Sequence, residues 1–164
     1  MDEYQYKEAS FQDLERRWDK NIANNPGDNR WVAWKDVAIC QNQNNILKTF
    51  VVLHGHDPVG EGTLIISPQT GAINGRLELA NGTTIANING LRVDKQYEGK
   101  GHISKLVKTI EQYAKNNGYE ILTIGVEPNE TRNLGIYLHW GYDTFVMYSF
   151  EEDGELVLYY SKKL

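Results

Sequence analysis

The residues best suited by type and spacing to do chemistry form the run Glu98-Gly99-Lys100-Gly101-His102-Ile103-Ser104. Two glycines one residue apart let the backbone turn where a side chain would collide. A helix starting just after them points its unpaired N–H groups back over the turn. Such a turn seats an anion, and above all a phosphate. The local charge agrees: from Lys95 to Lys108 four lysines stand against one acid, Glu98, a local +3 within a chain of formal net charge -5. A basic patch on an acidic protein points to a specific anionic ligand rather than to polyanions in general. Two common phosphate motifs are excluded. The dinucleotide fingerprint Gly-x-Gly-x-x-Gly fails at its third glycine, where Ser104 stands, and no Gly-Lys-Ser/Thr phosphate loop follows.

The elements that must position this turn can be read from periodicity. Thr84 to Val93 is expected as the strand before it, with Ile85, Ile88, Leu91 and Val93 apolar and a slip in the alternation that a bulge would explain. After it, Ile103, Leu106, Val107, Ile110, Tyr113 and Ala114 recur at helical spacing, and Asn116-Asn117-Gly118 supplies the stop. Upstream, a first strand falls near Glu3 to Glu8. A helix then opens at Ser10 with Asp13 as its capping partner and Phe11, Leu14 and Trp18 on its stripe. A second helix from about Arg30 to about Cys40 places Trp31, Trp34, Val37 and Ala38 on one stripe, read as core. Ile46 to Leu53 and Val59 to Ile66 read as a hairpin around His54-Gly55-His56-Asp57-Pro58. Ser67 to Thr83 is an excursion or a small extra hairpin, without an assigned role. Downstream come a buried strand at Ile121 to Val126, a helix from Pro128 to about Trp140, and two strands, Tyr142 to Phe150 and Leu156 to Ser161, around Glu152-Asp153-Gly154. The expected architecture is α/β, one domain over residues 1–164, with a central mixed sheet of about seven strands and about four helices.

Composition narrows the function classes. Hydrophobic residues at 40% and charged residues at 24% are globular values. The acidic balance argues against a general nucleic-acid binder. One cysteine, Cys40, forms no intramolecular disulfide, and the acidic start at Met1-Asp2-Glu3-Tyr4 has no apolar run behind it. With no stretch of membrane-span length, a cytoplasmic protein is expected. His54 and His56 lack a third ligand at metal-binding spacing and read as turn residues, so no metal is expected.

Two segments, Leu91-Arg92-Val93-Asp94-Lys95-Gln96-Tyr97-Glu98-Gly99-Lys100-Gly101 and Asn133-Leu134-Gly135-Ile136-Tyr137-Leu138-His139-Trp140-Gly141-Tyr142, resemble the signature segments of the GNAT superfamily of acyl-CoA-dependent N-acetyltransferases. The element order agrees along essentially the whole chain. The resemblance implies a GNAT-like fold, acetyl-CoA as cosubstrate and an amine acceptor, with a homodimer as a further possibility in this family. It places Leu91 and Val93 along the pantetheine, and Glu98, Gly99, Lys100, Gly101, His102, Ile103 and Ser104 around the pyrophosphate, with Asn133 also on the cofactor side. Gln96-x-x-Gly99-x-Gly101 fits the family's glycine motif literally. The distance to Leu106-Val107 favours instead the register with Glu98 at the position usually Arg or Gln and Ile103 at the last small position, and that register is adopted. An acid and a branched residue then depart from the pattern, as do Glu130 (usually Asn) and Asn133 (usually Ala).

By the same resemblance Tyr137 is the general acid toward the leaving thiolate, a transfer that a phenol of pKa about 10 makes to a thiolate whose thiol has pKa about 8.5. An amine of pKa about 10.4 must also lose a proton before attack, at a cost of about 4 to 5 kcal/mol at pH 7. Glu61 and Glu78, with His54, Asn87 and Asn89 as polar neighbours, are the candidates around that step. Trp18, Trp31, Trp34, Tyr148 and Tyr159 are expected near the acceptor, where an aromatic pocket in an acidic protein would suit a small cationic amine. Cys40, in the second helix with no flanking base, shows no sign of a covalent nucleophile. The reading is direct transfer to a primary amine of a small molecule. The alternatives are a protein or peptide amine, and a non-catalytic acyl-CoA-binding sensor or interaction module on the same fold.

Overall fold

Ser10 and Asp13 close the first helix in a reciprocal capping box: Asp13 N donates to Ser10 Oγ (3.1 Å) and Ser10 N donates to Asp13 Oδ2 (3.0 Å). The computed structural model describes residues 3–164. The acidic start at Met1 and Asp2 lies outside the described residues. In order the elements are β1 (Tyr4–Glu8), α1 (Phe11–Asn24), α2 (Arg30–Gln43), β2 (Leu47–His54), β3 (Asp57–Ile65), β4 (Ile85–Val93), a short 3-10 turn (Lys95–Tyr97), α3 (His102–Asn116), β5 (Ile121–Val126), α4 (Thr131–His139), β6 (Thr144–Phe150) and β7 (Leu156–Lys163). The strands form one mixed seven-stranded sheet in the order β1-β2-β3-β4-β5-β7-β6. Two compact units share the chain, one of the residues up to Leu64 with Gly90–Gln112, the other of Ile65–Asn89 with Tyr113–Leu164.

In the first unit β1 pairs antiparallel with β2 from Tyr4↔His54 to Glu8↔Phe50. Phe50, Val51, Val52, Leu53, Val59 and Leu64 bury the β2–β3 hairpin on both faces. Helices cover those faces from opposite sides. On β3, Glu61 meets α1, whereas the next residue, Gly62, lies under α3. A Cβ on Gly62 would stand 2.7 Å from Leu91 Cδ2 and 3.3 Å from Ile110 Cδ1, so the glycine leaves room for the β4 and α3 side chains that pack over it. The buried stripe of α1 is Leu14, Arg17, Trp18 and Asn21, and Phe11 is exposed. The tryptophan-bearing helix α2 buries no residue, contrary to its reading as core. Its apolar residues wrap around the helix instead of forming one face, and Val32, Trp34 and Val37 are all exposed.

In the second unit β4 and β5 pair in parallel from Ile85↔Ile121 to Ile88↔Ile124, while β5 continues against β7 to Val126↔Leu158. The register between β4 and β5 therefore ends at Ile88. The excursion before β4 forms turns, not a hairpin, and it is anchored from within. Ile73, Leu79 and Ala80 are fully buried, Thr123 Oγ1 donates to the Leu79 carbonyl (2.8 Å), and Asn87 Nδ2 donates to Thr123 Oγ1 (2.9 Å). Arg76 donates to the Ile73 carbonyl (2.7 Å), to Ser149 Oγ (2.5 Å) and to Glu151 (3.2 Å), and Tyr159 donates to the same carboxylate (2.6 Å). The excursion's role is thus at least structural: it tethers the β6–β7 hairpin.

Candidate active site

The glycine turn is built as its residue types require. Gly99 (φ +74°) and Gly101 (φ +80°) both adopt the left-handed backbone, with no atom within 4 Å of a Cβ at either position. The space over the turn is open, and α3 begins immediately after it, at His102. Glu98, Lys100 and both glycines are exposed, and Ile103 and Ser104 are half-buried. Lys100 Nζ rests over the Tyr97 ring at 5.6 Å. Leu91 and Val93 are half-buried on the strand that leads in.

His102 faces inward. It is buried, its Nδ1 lies 2.8 Å from the Tyr6 hydroxyl, and its ring packs 4.4 Å from that of Tyr4, which stacks on His54. Burial lowers its pKa, and the charges of Lys105, Lys100 and His54 lower it further, so the ring is held neutral. Tyr6 and Nδ1 share one hydrogen bond, and the other ring nitrogen, Nε2, is buried without a hydrogen-bond partner among the described residues.

The other face of β4 carries a charge network that escapes sequence reasoning. Arg17 is only 2% exposed. It donates from Nε to Glu61 Oε2 (3.1 Å) and from Nη1 to Asp94 Oδ1 (2.7 Å) and the Pro58 carbonyl (3.1 Å). Asn21 donates to both oxygens of Glu61 (3.2 and 3.3 Å), and Lys20 pairs with Asp94 (2.6 Å). Burial pulls the Asp94 carboxyl upward, but the bonds and charges of Lys20 and Arg17 outweigh it and hold it below the usual aspartate value. Arg17 thereby ties α1 to the residue that ends β4 and starts the approach to the glycine turn. Beside the network lies a cavity of about 520 Å³, lined from α1, from Trp31 and from Arg92 to Glu98.

This geometry bears on the candidate bases. Glu61 is enclosed by Arg17, Asn21 and Arg92, so its oxygens serve the network. Asn87 is spent on Thr123, His54 Nδ1 lies 3.0 Å from the Tyr97 hydroxyl, and Glu78 and Asn89 are exposed. The expected aromatic faces are also occupied. Arg92 lies over Trp31 (5.2 Å), Arg30 over Trp34 (5.3 Å) and Arg76 over Tyr159 (5.3 Å), while Tyr148 is exposed on β6 and Trp18 is buried.

In the second unit Tyr137 stands on α4, half-buried, its ring 5.7 Å from that of Trp140. Burial raises its pKa and the negative charge of Glu130 adds to the rise, so the phenol keeps its proton throughout the neutral range. Asn133, on the same helix, is exposed. Cys40 is exposed, with Asn44 Nδ2 3.4 Å from its sulfur. Among the described residues there is no cluster of three or more metal-ligating side chains, and no helix is long and apolar enough to cross a membrane.

No curated protein matches the chain. Solved structures do, at identities that speak to the fold alone. A GNAT family acetyltransferase from Elizabethkingia anophelis with acetyl-CoA bound is 15% identical, with all of both chains covered and a TM-score of 0.59. The PaiA N-acetyltransferase from Thermoplasma acidophilum in complex with coenzyme A is 16% identical over 99% of each chain, with a TM-score of 0.62. The acetyl transferase from Salmonella typhimurium that modifies the N-terminal serine of ribosomal protein L7/L12 is 13% identical, covering 98% of this chain and 95% of that one, with a TM-score of 0.70. The sequence model of the acetyltransferase (GNAT) family matches residues 4–142, a stretch that runs through both units and contains the glycine turn and Tyr137. The chain belongs to the acetyltransferase (GNAT) family.

Proposed function

We propose that the protein is an N-acetyltransferase that moves the acetyl group of acetyl-CoA directly to a primary amine of a small molecule. The observation that carries this reading is the glycine turn: two left-handed glycines with no atom where a Cβ would stand, and α3 beginning directly after them, a geometry that aims a helix N-terminus at a pyrophosphate. The relatives with acetyl-CoA or coenzyme A bound support the same ligand. Glu98 is exposed, so its carboxylate can turn away from the phosphates, and Lys100 and Lys105 supply positive charge nearby. A cavity of about 520 Å³ beside the end of β4 supports a small acceptor.

In the reaction the neutral amine attacks the thioester carbonyl carbon, the C–N bond forms and the C–S bond breaks. The proton lost by the amine passes to solvent, the departing thiolate takes a proton from Tyr137, and the phenolate regains its proton from solvent, so that the net change is one proton moved from amine to thiol. The raised pKa of Tyr137 fits an acid that stays loaded at neutral pH. Thiol release in the presence of acetyl-CoA and amines tests the assignment. Tyr137→Phe is expected to lower kcat by about 10²-fold while leaving acetyl-CoA affinity unchanged. Acetyl-CoA binding with no turnover on any amine, and no effect of Tyr137→Phe, would identify a non-catalytic acyl-CoA sensor instead.

A further inference from the structure

The cavity beside β4 is cationic in a way the chain as a whole is not. Arg17, Lys20, Arg92 and Lys95 line it against Asp94 and Glu98, in a protein of net charge -5. Two of these cations are fully engaged: Arg17 holds Glu61, Asp94 and the Pro58 carbonyl, and Lys20 holds Asp57 and Asp94. Arg92 is held differently. Its Nε stands 2.7 Å from Glu61 Oε1 with the N–H turned off the oxygen, so the contact is an ion pair without a hydrogen bond. Its guanidinium lies over the Trp31 ring at 5.2 Å, and its side chain is 39% exposed. No hydrogen bond ends on Nη1 or Nη2 among the described residues. An ion pair behind and an aromatic ring alongside thus fix the side chain, which lines the cavity with its fork unbonded among the described residues and Nη2 lying against β4, 3.3 Å from where a Cβ on Gly90 would stand. That fork matches the two oxygens of a carboxylate.

The same geometry argues against two other ligands for Arg92. Leu91 points to the α3 side of the strand, packed over Gly62, whereas Arg92 points to the α1 side, away from the helix whose N-terminus is the proposed pyrophosphate seat. A polyamine would need aromatic faces and carboxylates, yet Trp31 and Trp34 are covered by Arg92 and Arg30, and Glu61 and Asp94 are neutralised in the network. We infer that the acceptor carries a carboxylate as well as its amine, and that Arg92 binds that carboxylate. The acceptor is then an amino-acid-like zwitterion. The inference rests on the acetyltransferase reading and adds the acceptor's class.

The test is kcat/KM on matched acceptors: free amino acids, their carboxamides and the corresponding decarboxylated amines. The wild-type protein is expected to favour the acids by at least about tenfold. Arg92→Ala should remove that preference, Arg92→Lys should restore part of it, and acetyl-CoA affinity by calorimetry should stay within about twofold in both variants. Equal turnover of acids and amides by the wild-type protein would overturn the inference and leave the acetyltransferase reading intact. So would a preference for the decarboxylated amines, or an equal loss on every acceptor in Arg92→Ala. No turnover on any member of the panel despite acetyl-CoA binding also counts against it, and absence of acetyl-CoA binding would remove the underlying reading as well.

Discussion

Arg17→Leu removes the group that, among the described residues, bonds both Glu61 and Asp94, two carboxylates with side chains 4% and 7% exposed. The leucine fills much of the volume, so the loss is electrostatic: three hydrogen bonds disappear and buried negative charge is left with fewer partners. Breaking a buried pair from one side costs about 3–5 kcal/mol. Lys20 and Arg92 still face these carboxylates, which places the expected value at the lower end, about 3 kcal/mol. For a chain of this size that corresponds to a fall in melting temperature of about 6–12 °C. Urea unfolding followed by tryptophan fluorescence, with Trp18 on the same helix as reporter, measures it. The companion variant Lys20→Ala removes a pair with exposed Asp57 and a pair with the buried carboxylate of Asp94, but the lysine is itself part-exposed and Arg17 still holds Asp94, so it should cost less than Arg17→Leu, about 1 kcal/mol. Because Arg17 ties α1 to Asp94, the Arg17 variant should also weaken acetyl-CoA binding. A stability loss under about 1 kcal/mol for Arg17→Leu would refute the view that this network holds the end of β4.

Gly101→Ala places a side chain on a left-handed backbone in open space, so strain without a clash is expected. Stability should fall by about 1–2 kcal/mol and coenzyme A affinity should drop with it, read by melting and by calorimetry. Glu98→Gln or Glu98→Arg removes an exposed negative charge beside the proposed phosphate seat and is expected to tighten coenzyme A binding by about two- to tenfold at low salt, less at high salt. Weaker binding in either would mean that Glu98 serves the ligand. His102 has a folded-state pKa below its ordinary 6.5, so its contribution to stability is fully present above 6.5 and is lost as the pH falls toward the lower folded value. Urea midpoints between pH 7.5 and 5 should therefore decline, and His102→Gln should flatten that decline; an unchanged slope would contradict a buried neutral ring facing Tyr4, Tyr6, Tyr97 and His54.

Where one face of an element is apolar, periodicity carried the fold. The α3 positions Leu106, Val107, Ile110 and Ala114 are all buried, β5 runs from Ile121 to Val126 as its apolar run implied, and Ser10 with Asp13 caps α1. The failures share a cause: they depend on partners distant in the chain. Arg17 has the composition of a solvent residue, and its burial is decided by Pro58, Glu61 and Asp94, which are 41, 44 and 77 positions away. The tryptophans of α2 read as core, yet no α2 residue is buried: Arg92 and Arg30 lie over Trp31 and Trp34, and Trp31 lines the cavity. The glycine turn was legible because left-handed backbone demands glycine locally. The aromatic nest that turns His102 inward comes from β1 and β2, and no local signal in the turn announces it.

Direct acetyl transfer is tested most plainly by following free thiol after mixing the protein with acetyl-CoA, first alone and then with amine acceptors. On the proposed mechanism, in which Tyr137 protonates the leaving thiolate and Cys40 takes no part, thiol should appear only when acetyl-CoA and an acceptor are present together. A stoichiometric burst of thiol from acetyl-CoA alone would show an acetylated protein intermediate and contradict direct transfer. No thiol with any amine would contradict the enzyme itself.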